Sequence, residues 1–218
     1  SGRAQLLLSP LSGGEAARLT RLPQGVSQLQ WSASGRSLVV TAAVAVDPDT
    51  EGLSGPAAEA AIGTDPGALA EAPRKCRPEV AWRLPYKEDG VGYLLRRQFH
   101  LFCVDAETGA HVQLTQGAFD VLAFDLARDG RIAYTRTREG RFAHDNDLWI
   151  CRAVGHDARH LTRDIPIVMA PTWSRDGRRL AFTGAREEGD AEPRLWCVDV
   201  ASGEGRAICE GTLDGAHP

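Results

Sequence analysis

Three sets of residues recur along this chain at the same two intervals, 95 and 47 residues. The first set is the glycine in the turns "SASGRS", "ARDGRI" and "SRDGRR": Gly35, Gly130 and Gly177. The second is the threonine that ends "ARLT", "VQLT" and "RHLT": Thr20, Thr115 and Thr162. The third is an apolar anchor spaced by 95, 47 and 47 residues: Leu7, Phe102, Trp149 and Trp196. Because three independent sets agree, the sequence predicts several copies of one structural unit.

Each copy reads as four short strands. A glycine-bearing turn lies between two runs of β-branched or apolar residues, and a second turn, such as "AETG" or "VASG", lies between two more. Units of about 40 to 50 residues with four antiparallel strands are typical of β-propeller blades. The sequence therefore predicts an all-β fold, a partial β-propeller of four-stranded antiparallel blades.

The strand count predicts about three and a half blades within residues 1–218. The blade parts are 3–20, which holds only the last two strands of a blade, 27–115, 119–162 and 168–209. Propellers typically close their ring with 4 to 8 blades. We therefore expect the chain to be a propeller fragment, or the ring to be completed by something else, because an open arc leaves apolar blade faces in water.

The first full blade carries an insert at 45–98. Gly35 and Phe102 are 67 residues apart, whereas the corresponding interval in each of the next two blades is 19, so the extra residues lie between the second and third strands. Residues 47–78 are rich in proline, glycine, alanine and acid and lack strand alternation, which favours a flexible excursion with a short helical turn at 57–62. We expect this insert to reach over one mouth of the propeller channel or onto a neighbouring domain.

Composition excludes several classes of partner. The net charge is -4 and the basic residues are scattered, so no concentrated positive face is available for nucleic acid. No apolar run approaches the roughly 20 residues of a membrane span, and no secretory signal begins the sequence. The number of cysteines is odd and none has C-x-x-C spacing: Cys76, Cys103, Cys151, Cys197 and Cys209. We therefore expect a cytoplasmic protein with buried structural thiols and no cofactor.

Four local patterns could carry chemistry, and each has a simpler structural interpretation. His156 and His160 have the H-x-x-x-H spacing of zinc ligands, but they lie across a strand-to-strand turn where they need not converge, so no metal site is predicted. "HDND" at 144–147 is interpreted as a solvated turn, 136–142 as an exposed strand end, and 186–194 as a charged hairpin loop. Four tryptophans are predicted to be core residues: Trp31, Trp149, Trp173 and Trp196.

The residues also carry a family resemblance over nearly the whole chain. The combination of "LLLSPLSGGEAARLTRLPQGVSQLQWSASGRSLVV", "RLPYKEDGVGYLLRRQFHLFCVDAETG" and "PTWSRDGRRLAFTG" resembles the N-terminal propeller of prolyl oligopeptidase family serine peptidases, especially the acylaminoacyl-peptidase branch. TolB-type propellers share the W-S-x-D-G turns, and the segment 83–93 is what favours the peptidase, because TolB repeats have no such insert. The chain departs from the pattern at Ser34, where aspartate is usual, and at Leu126, where tryptophan is usual.

This resemblance implies a gate and selectivity filter for an α/β-hydrolase domain of the same parent protein, which would act on short or N-acylated peptides. That domain would carry a serine on a G-x-S-x-G elbow and a later aspartate and histidine. The nearest spellings here, at 35–39 and 52–56, lack the last glycine, so the chain offers no catalytic residue and leaves open whether the parent is an enzyme. A non-catalytic TolB-like scaffold that binds a protein partner is the alternative. Substrate-binding residues and a homo-oligomeric state stay undefined.

Overall fold

The computed structural model describes residues 3–45, 81, 83–88, 92–95, 97–138, 145–152, 157–162, 165–186 and 193–208. Within these ranges all regular secondary structure is β, in sixteen strands. Among the described residues there is no helix that could span a membrane. The predicted excursion at 47–78, with its helical turn at 57–62, lies outside the described residues.

Two compact units divide the chain, and the first comprises residues 1–120 with 139–142. Its strands are β1 (Leu7–Leu8), β2 (Ala17–Arg18), β3 (Leu29–Trp31), β4 (Ser37–Ala45), β5 (Lys87–Glu88), β6 (Gly92–Tyr93), β7 (Arg97–Asp105) and β8 (His111–Gln113). They form a two-stranded half-blade, β1-β2, a full blade in the order β3-β4-β7-β8, and a separate hairpin, β5-β6. All of these pairs are antiparallel.

The second unit comprises residues 121–138 with 143–218 and contains two full blades. Its strands are β9 (Val121–Leu126), β10 (Arg131–Thr137), β11 (Asn146–Arg152), β12 (Arg159–His160), β13 (Ile167–Trp173), β14 (Arg179–Ala185), β15 (Arg194–Asp199) and β16 (Gly205–Ala207). Each blade pairs its strands in chain order, β9 to β12 and β13 to β16. The predicted all-β fold of about three and a half four-stranded antiparallel blades is confirmed.

The repeated threonine closes the outer pair of strands in the half-blade and in the first two full blades. The buried hydroxyl Oγ1 accepts a hydrogen bond of 3.0 Å from the backbone N–H of a leucine 14 residues earlier, and the three donor–acceptor pairs are Leu6–Thr20, Leu101–Thr115 and Leu148–Thr162. The leucine carbonyl in turn accepts the N–H of the residue before the threonine. Because a buried N–H without a partner is costly, this contact explains why threonine recurs at one fixed position.

The glycine turn joins the first and second strands of each blade. In the last blade the Gly177 N–H donates to the Ser174 carbonyl, and the Asp176 carboxylate accepts from both the Ser174 hydroxyl and the Arg178 N–H. Gly177 has φ +68°, in the region that glycine adopts without strain. In the first full blade Ser34 replaces the aspartate, and its hydroxyl accepts the N–H two residues later, so the turn keeps its form.

Each unit has a core between its two blade elements. In the first unit the half-blade contributes Leu6 and Leu22, which pack on the full blade: Leu38, Val40, Ala42, Val44, Phe102 and Val104. In the second unit the core joins two complete blades: Ala127, Ala133, Leu148, Ile150, Leu161, Ile165, Val168, Trp173, Leu180, Phe182, Trp196, Val198 and Val200. Burial of these apolar side chains is the main favourable term for stacking blades.

The predicted core position is right for Trp173 and Trp196 and wrong for Trp31. Trp31 is 48% exposed, Leu7 is exposed as well, and Trp149 is half-buried. Trp173 is covered by the core cluster of the second unit, and Asp125 on the first strand of the preceding blade accepts its backbone N–H with the carboxylate and its indole N–H with the main-chain carbonyl. Within the described part of the half-blade there is no first strand, so nothing equivalent covers Trp31.

The prediction of buried thiols is confirmed for Cys151. Its burial raises the pKa of the thiol to about 11, so the unreactive protonated form dominates near neutral pH. Cys103 and Cys197 are half-buried free thiols in β7 and β15. The remaining two, Cys76 and Cys209, lie outside the described residues.

Candidate interaction surface

The segment 83–93 is the part of the sequence that favours a peptidase propeller over a TolB-type propeller. It forms a hairpin within the insert. β5 and β6 pair antiparallel, with Lys87 opposite Tyr93 and Glu88 opposite Gly92. The Leu94 N–H donates to the Tyr86 carbonyl at 2.9 Å and extends this pairing. The sequence missed the hairpin because its strands are two residues long, too short to show the alternation that predicts a strand.

A buried ion pair fixes the base of the hairpin to the blade. Arg83 Nη2 lies 2.6 Å from Asp120 Oδ2, and both side chains are buried. Asp120 Oδ1 accepts the N–H of Phe99 in β7, and Arg83 Nη1 donates to the carbonyl of Arg97. Burial raises the pKa of Asp120, and the charge of Arg83 acts in the opposite direction. The hairpin is therefore tied both to strand β7 and to the connection 114–120, which follows β8 at the end of the blade.

Three large apolar side chains of the segment 83–93 are exposed. Leu84 is 57% exposed, Tyr86 46% and Tyr93 61%, whereas the adjacent Leu94 and Leu95 are buried. The two tyrosine rings stack with centroids 6.5 Å apart and planes inclined by 28°. We call Leu84, Tyr86 and Tyr93 the tyrosine patch. Clustered exposed apolar side chains on an ordered element are typical of interaction sites.

Strand order determines the edge of the blade on which the hairpin stands. β4 runs away from the Gly35 turn, and the chain from its end to the start of β7 includes the hairpin. Because the strands alternate in direction, β4 and β8 end at the same edge, where the chain leaves the blade through 114–120. The tyrosine patch thus belongs to the edge opposite the glycine turn.

A second polar cluster lies on one blade of the second unit. Arg138 donates from Nε and Nη2 to the two carboxylate oxygens of Asp147 at 3.0 and 2.9 Å, and His160 Nε2 lies 3.3 Å from the same carboxylate. The His160 ring stacks on Trp149, and the Arg136 guanidinium lies 3.6 Å from the Trp149 ring centroid. Because Arg138 engages both oxygens of Asp147, the cluster ties three strands together and does not present an available base.

This cluster corrects two interpretations of the sequence. Residues 145–147 are not a solvated turn, because Asn146 and Asp147 are buried at the start of β11 and Asn146 Oδ1 accepts the N–H of Val168. The strand end at 136–138 is not wholly exposed either, since Thr137 is buried and Arg136 is half-buried. Sequence spacing could not reveal these contacts, because their partners come from other strands.

The remaining candidate residues are dispersed. Several of them lie outside the described residues: His144, His156, 52–56, 139–142 and most of the loop 186–194. Arg186, at the start of that loop, places its guanidinium over the Trp196 ring. Residues 35–39 occupy the turn and the first half of β4, where the Ser37 hydroxyl donates to Ser32. Among the side chains that the structure describes, no group of three histidine, cysteine, aspartate or glutamate residues could hold a metal ion.

Comparisons with known proteins agree on the fold. No model of a known protein family matches the chain. In sequence, 110 residues are 28% identical to the Tol-Pal system protein TolB of Desulfosudis oleivorans, which covers 50% of this chain and 21% of that protein. In structure, the chain is similar to the acylaminoacyl peptidase of Pyrococcus horikoshii, with a TM-score of 0.59, 12% identity and coverage of 94% of this chain and 28% of the other. It is also similar to TolB from Acinetobacter baumannii, with a TM-score of 0.54, 11% identity and coverage of 95% and 38%.

These likenesses show that the chain shares its propeller fold with a peptidase and with TolB, and that half of it is similar in sequence to TolB. The two structures share the fold with this chain at identities too low to carry an activity across. The chain spans about a fifth of the length of its TolB relative and little more than a quarter of that of the peptidase. The activity of a whole protein therefore enters only as a proposal.

Proposed function

We propose that this chain is the propeller part of a cytoplasmic serine peptidase that resembles acylaminoacyl peptidase. The observation that supports this proposal is the hairpin at 83–93. Its sequence resembles that peptidase branch, TolB repeats lack it, and Arg83 and Asp120 fix it to the first full blade. Because the segment has paired strands and a buried ion pair, it is an ordered part of the blade, and its resemblance to the peptidase branch is a feature of the folded protein.

In this proposal the propeller selects the substrate and a hydrolase domain of the same protein performs the reaction. The hydrolase would supply the serine nucleophile, its base and the oxyanion hole for acyl transfer. The propeller would admit short or N-acylated peptides and exclude folded proteins by size. It would contribute no group to the reaction and would need no cofactor, membrane or nucleic acid. A homo-oligomer is compatible with this role.

The test uses the full-length product of the gene. Its intact mass is measured first, and the protein is then assayed with acetyl-alanyl p-nitroanilide before and after treatment with a fluorophosphonate. We expect a mass far above 23.5 kDa and turnover that the serine reagent abolishes. The matched control replaces the serine of the G-x-S-x-G elbow by alanine. A mass near 23.5 kDa with no turnover would contradict the proposal.

Size selection needs its own measurement. The full-length enzyme is given an N-acetylated pentapeptide and a folded protein with the same N-acetylated first five residues. We expect removal of the acylated residue from the peptide and little from the folded protein, because only the peptide is small enough to enter. Equal cleavage of the two substrates would leave the hydrolase assignment intact and refute the gating role.

The alternative function is a TolB-like scaffold that binds a protein partner without catalysis. The 28% identity to TolB over half of the chain is the observation in its favour. A full-length product with no G-x-S-x-G elbow, no reaction with fluorophosphonate and an upstream secretory signal would favour this alternative over the peptidase.

A further inference from the structure

We infer that the glycine-turn edge of the second unit binds a short acidic segment of a partner protein. At this edge the first strand of each blade turns into the second and the third turns into the fourth, because the strands alternate in direction. Neither the hairpin nor a hydrolase domain is involved, so this site is independent of the proposed function. Arginine side chains are the feature that sets this edge apart.

Positive charge is concentrated at this edge although the chain as a whole is negative. Four segments join strands here: 127–131, 152–159, 174–179 and 199–206. They contain eight arginines and five acidic residues, a formal net charge of +3, whereas the whole chain has -4 and the rest of it therefore has -7. The sequence did not reveal this concentration, because the arginines are spread from residue 128 to residue 206 and meet only in the folded blades.

The two glycine turns of the second unit contact each other. Arg131 Nη2 donates to the carbonyl of Gly177 at 2.6 Å, so an arginine of one turn reaches the next. The same guanidinium lies 2.7 Å from Asp129 in its own turn. In the last blade the Val200 N–H donates to the Arg178 carbonyl and joins the two turns of that blade. The edge is therefore ordered before binding, and an ordered surface loses less conformational entropy on association than a flexible one does.

Most arginines of this edge have guanidinium groups that are available to a ligand. Arg131 and Arg159 use theirs on carbonyl oxygens of the next blade. The other six are exposed and make no guanidinium hydrogen bond or ion pair with any residue that the structure describes: Arg128, Arg152, Arg175, Arg178, Arg179 and Arg206. A guanidinium presents five N–H donors in a planar fork that matches a carboxylate group.

Three of the five acidic residues of the edge are engaged by their own turns. Asp129 pairs with Arg131, and its Oδ1 accepts the Arg131 N–H as well. Asp176 and Asp199 each accept backbone N–H groups of the turn in which they lie. Because these carboxylates stabilise their turns, the exposed guanidinium groups remain available for a carboxylate group that comes from outside the chain.

The distribution of charge favours a short acidic segment over a nucleic acid. A long polyanion on this edge would extend beyond it, towards a chain whose remaining net charge is -7, and like charges repel. A segment with a few aspartate or glutamate residues contacts the edge alone. Complementary charge of this kind selects the partner and raises the rate of association. The edge is thus suited to an acidic stretch of a protein.

Two equivalent arginines provide the variant for the test. Arg128 and Arg175 precede the Asp-Gly pair of their turns and are 47 residues apart, whereas the first unit has Ala33 at this position, 95 residues before Arg128. Alanine is therefore compatible with the turn, so Arg128→Ala with Arg175→Ala removes two charges and leaves the turns folded. Arg21→Ala with Arg194→Ala is the matched control, since both residues are exposed, lie outside the four segments and remove the same charge.

Fluorescence anisotropy of fluorescein-labelled hexaglutamate measures binding to the full-length protein, and labelled hexaglutamine is the neutral reference. We expect the Kd for hexaglutamate to rise at least about fivefold in the Arg128 and Arg175 double variant and less than about twofold in the control variant. Raising sodium chloride from about 50 mM to about 300 mM should also weaken binding at least about fivefold, because salt screens exposed charges. Urea unfolding verifies that both variants are folded.

Several results would overturn the acidic-segment site. If hexaglutamate does not bind, or binds the double variant as tightly as the wild type, the edge is not the site. Equally tight binding of hexaglutamine would show that charge does not drive the contact. If a single-stranded DNA hexamer binds more tightly than hexaglutamate and loses affinity in the same double variant, the edge is a nucleic-acid site instead. None of these outcomes changes labelling by fluorophosphonate, so the proposed function is judged separately.

Discussion

The two units place the same repeat position in opposite environments. Trp31 and Trp173 both end the first strand of a blade just before a glycine turn, yet Trp31 is 48% exposed and Trp173 is 9% exposed. Trp173 has the first strand of a complete blade against it, and Asp125 on that strand accepts two of its hydrogen bonds. Trp31 has only a half-blade next to it. A repeat therefore specifies the side chain, whereas the neighbouring blade determines its burial.

Replacing each tryptophan by alanine should give the largest difference between the units. Trp173→Ala should lower the free energy of unfolding by about 3 to 5 kcal/mol, because it opens a cavity and removes a bond to Asp125. Trp31→Ala should lower it by less than about 1 kcal/mol, because about half of that side chain is already in water. Urea unfolding followed by far-UV circular dichroism measures both. Similar losses of unfolding free energy at the two positions would refute the conclusion that Trp31 is exposed and Trp173 is buried.

Two turn glycines give the next difference. Gly109 and Gly203 have φ of +73° and +76° in equivalent turns, so alanine is strained at both. A Cβ at Gly109 would lie 2.1 Å from the backbone oxygen of Leu19 in the half-blade, whereas at Gly203 the nearest atom is 3.8 Å away. We expect Gly109→Ala to cost about 3 kcal/mol and Gly203→Ala about 1 kcal/mol. Equal shifts of the unfolding midpoint would mean that the half-blade moves aside freely.

The repeated threonines should behave more alike. Thr115→Val and Thr162→Val each leave a buried leucine N–H without its acceptor and should cost about 1 to 3 kcal/mol. Thr115→Val should cost the more of the two, because the hydroxyl also lies 3.2 Å from His100 Nδ1. The matching serine variants keep the hydroxyl and serve as controls. A valine variant as stable as its serine control would show that the hydroxyl contact is dispensable.

Acid titration should give the smallest effect. Asp105 and Asp199 occupy equivalent turns, and hydrogen bonds lower both pKa values: Thr108 contributes most for Asp105, and the Ser202 N–H for Asp199. Since the folded pKa lies below the unfolded one, their contribution to stability is present above the ordinary aspartate pKa and is lost as the pH falls through the folded value. Asp120 has a raised pKa and should show the reverse sign, with its contribution lost as the pH rises.

Carboxyl NMR titration of the 218-residue chain measures these shifts directly. Asp105→Asn and Asp199→Asn should each flatten the acid limb of the stability curve by a similar small amount, because both turns are exposed. A normal pKa at either aspartate would indicate that its turn is open in solution.

Periodicity was sufficient to predict the fold and not sufficient to predict the candidate surface. The intervals of 47 and 95 residues located the turns and the threonine contacts, because those depend on residues close together within one blade. The exposure of Trp31 depends on a neighbouring strand, and the burial of Asn146 on Val168 in the next blade, so local pattern missed both. The hairpin was missed as a structure because its anchor, Arg83 with Asp120, joins residues 37 positions apart with no shared motif.

The threonine contact also bears on how such a chain could have grown. The half-blade and the first two full blades each satisfy a leucine N–H with their own threonine, 14 residues later, and need no group from another blade to do so. Duplication of a 47-residue stretch of the gene would thus deliver a copy whose outer strands already close on themselves. What the copy lacks is a matching neighbour for its faces, and selection after duplication would act there first.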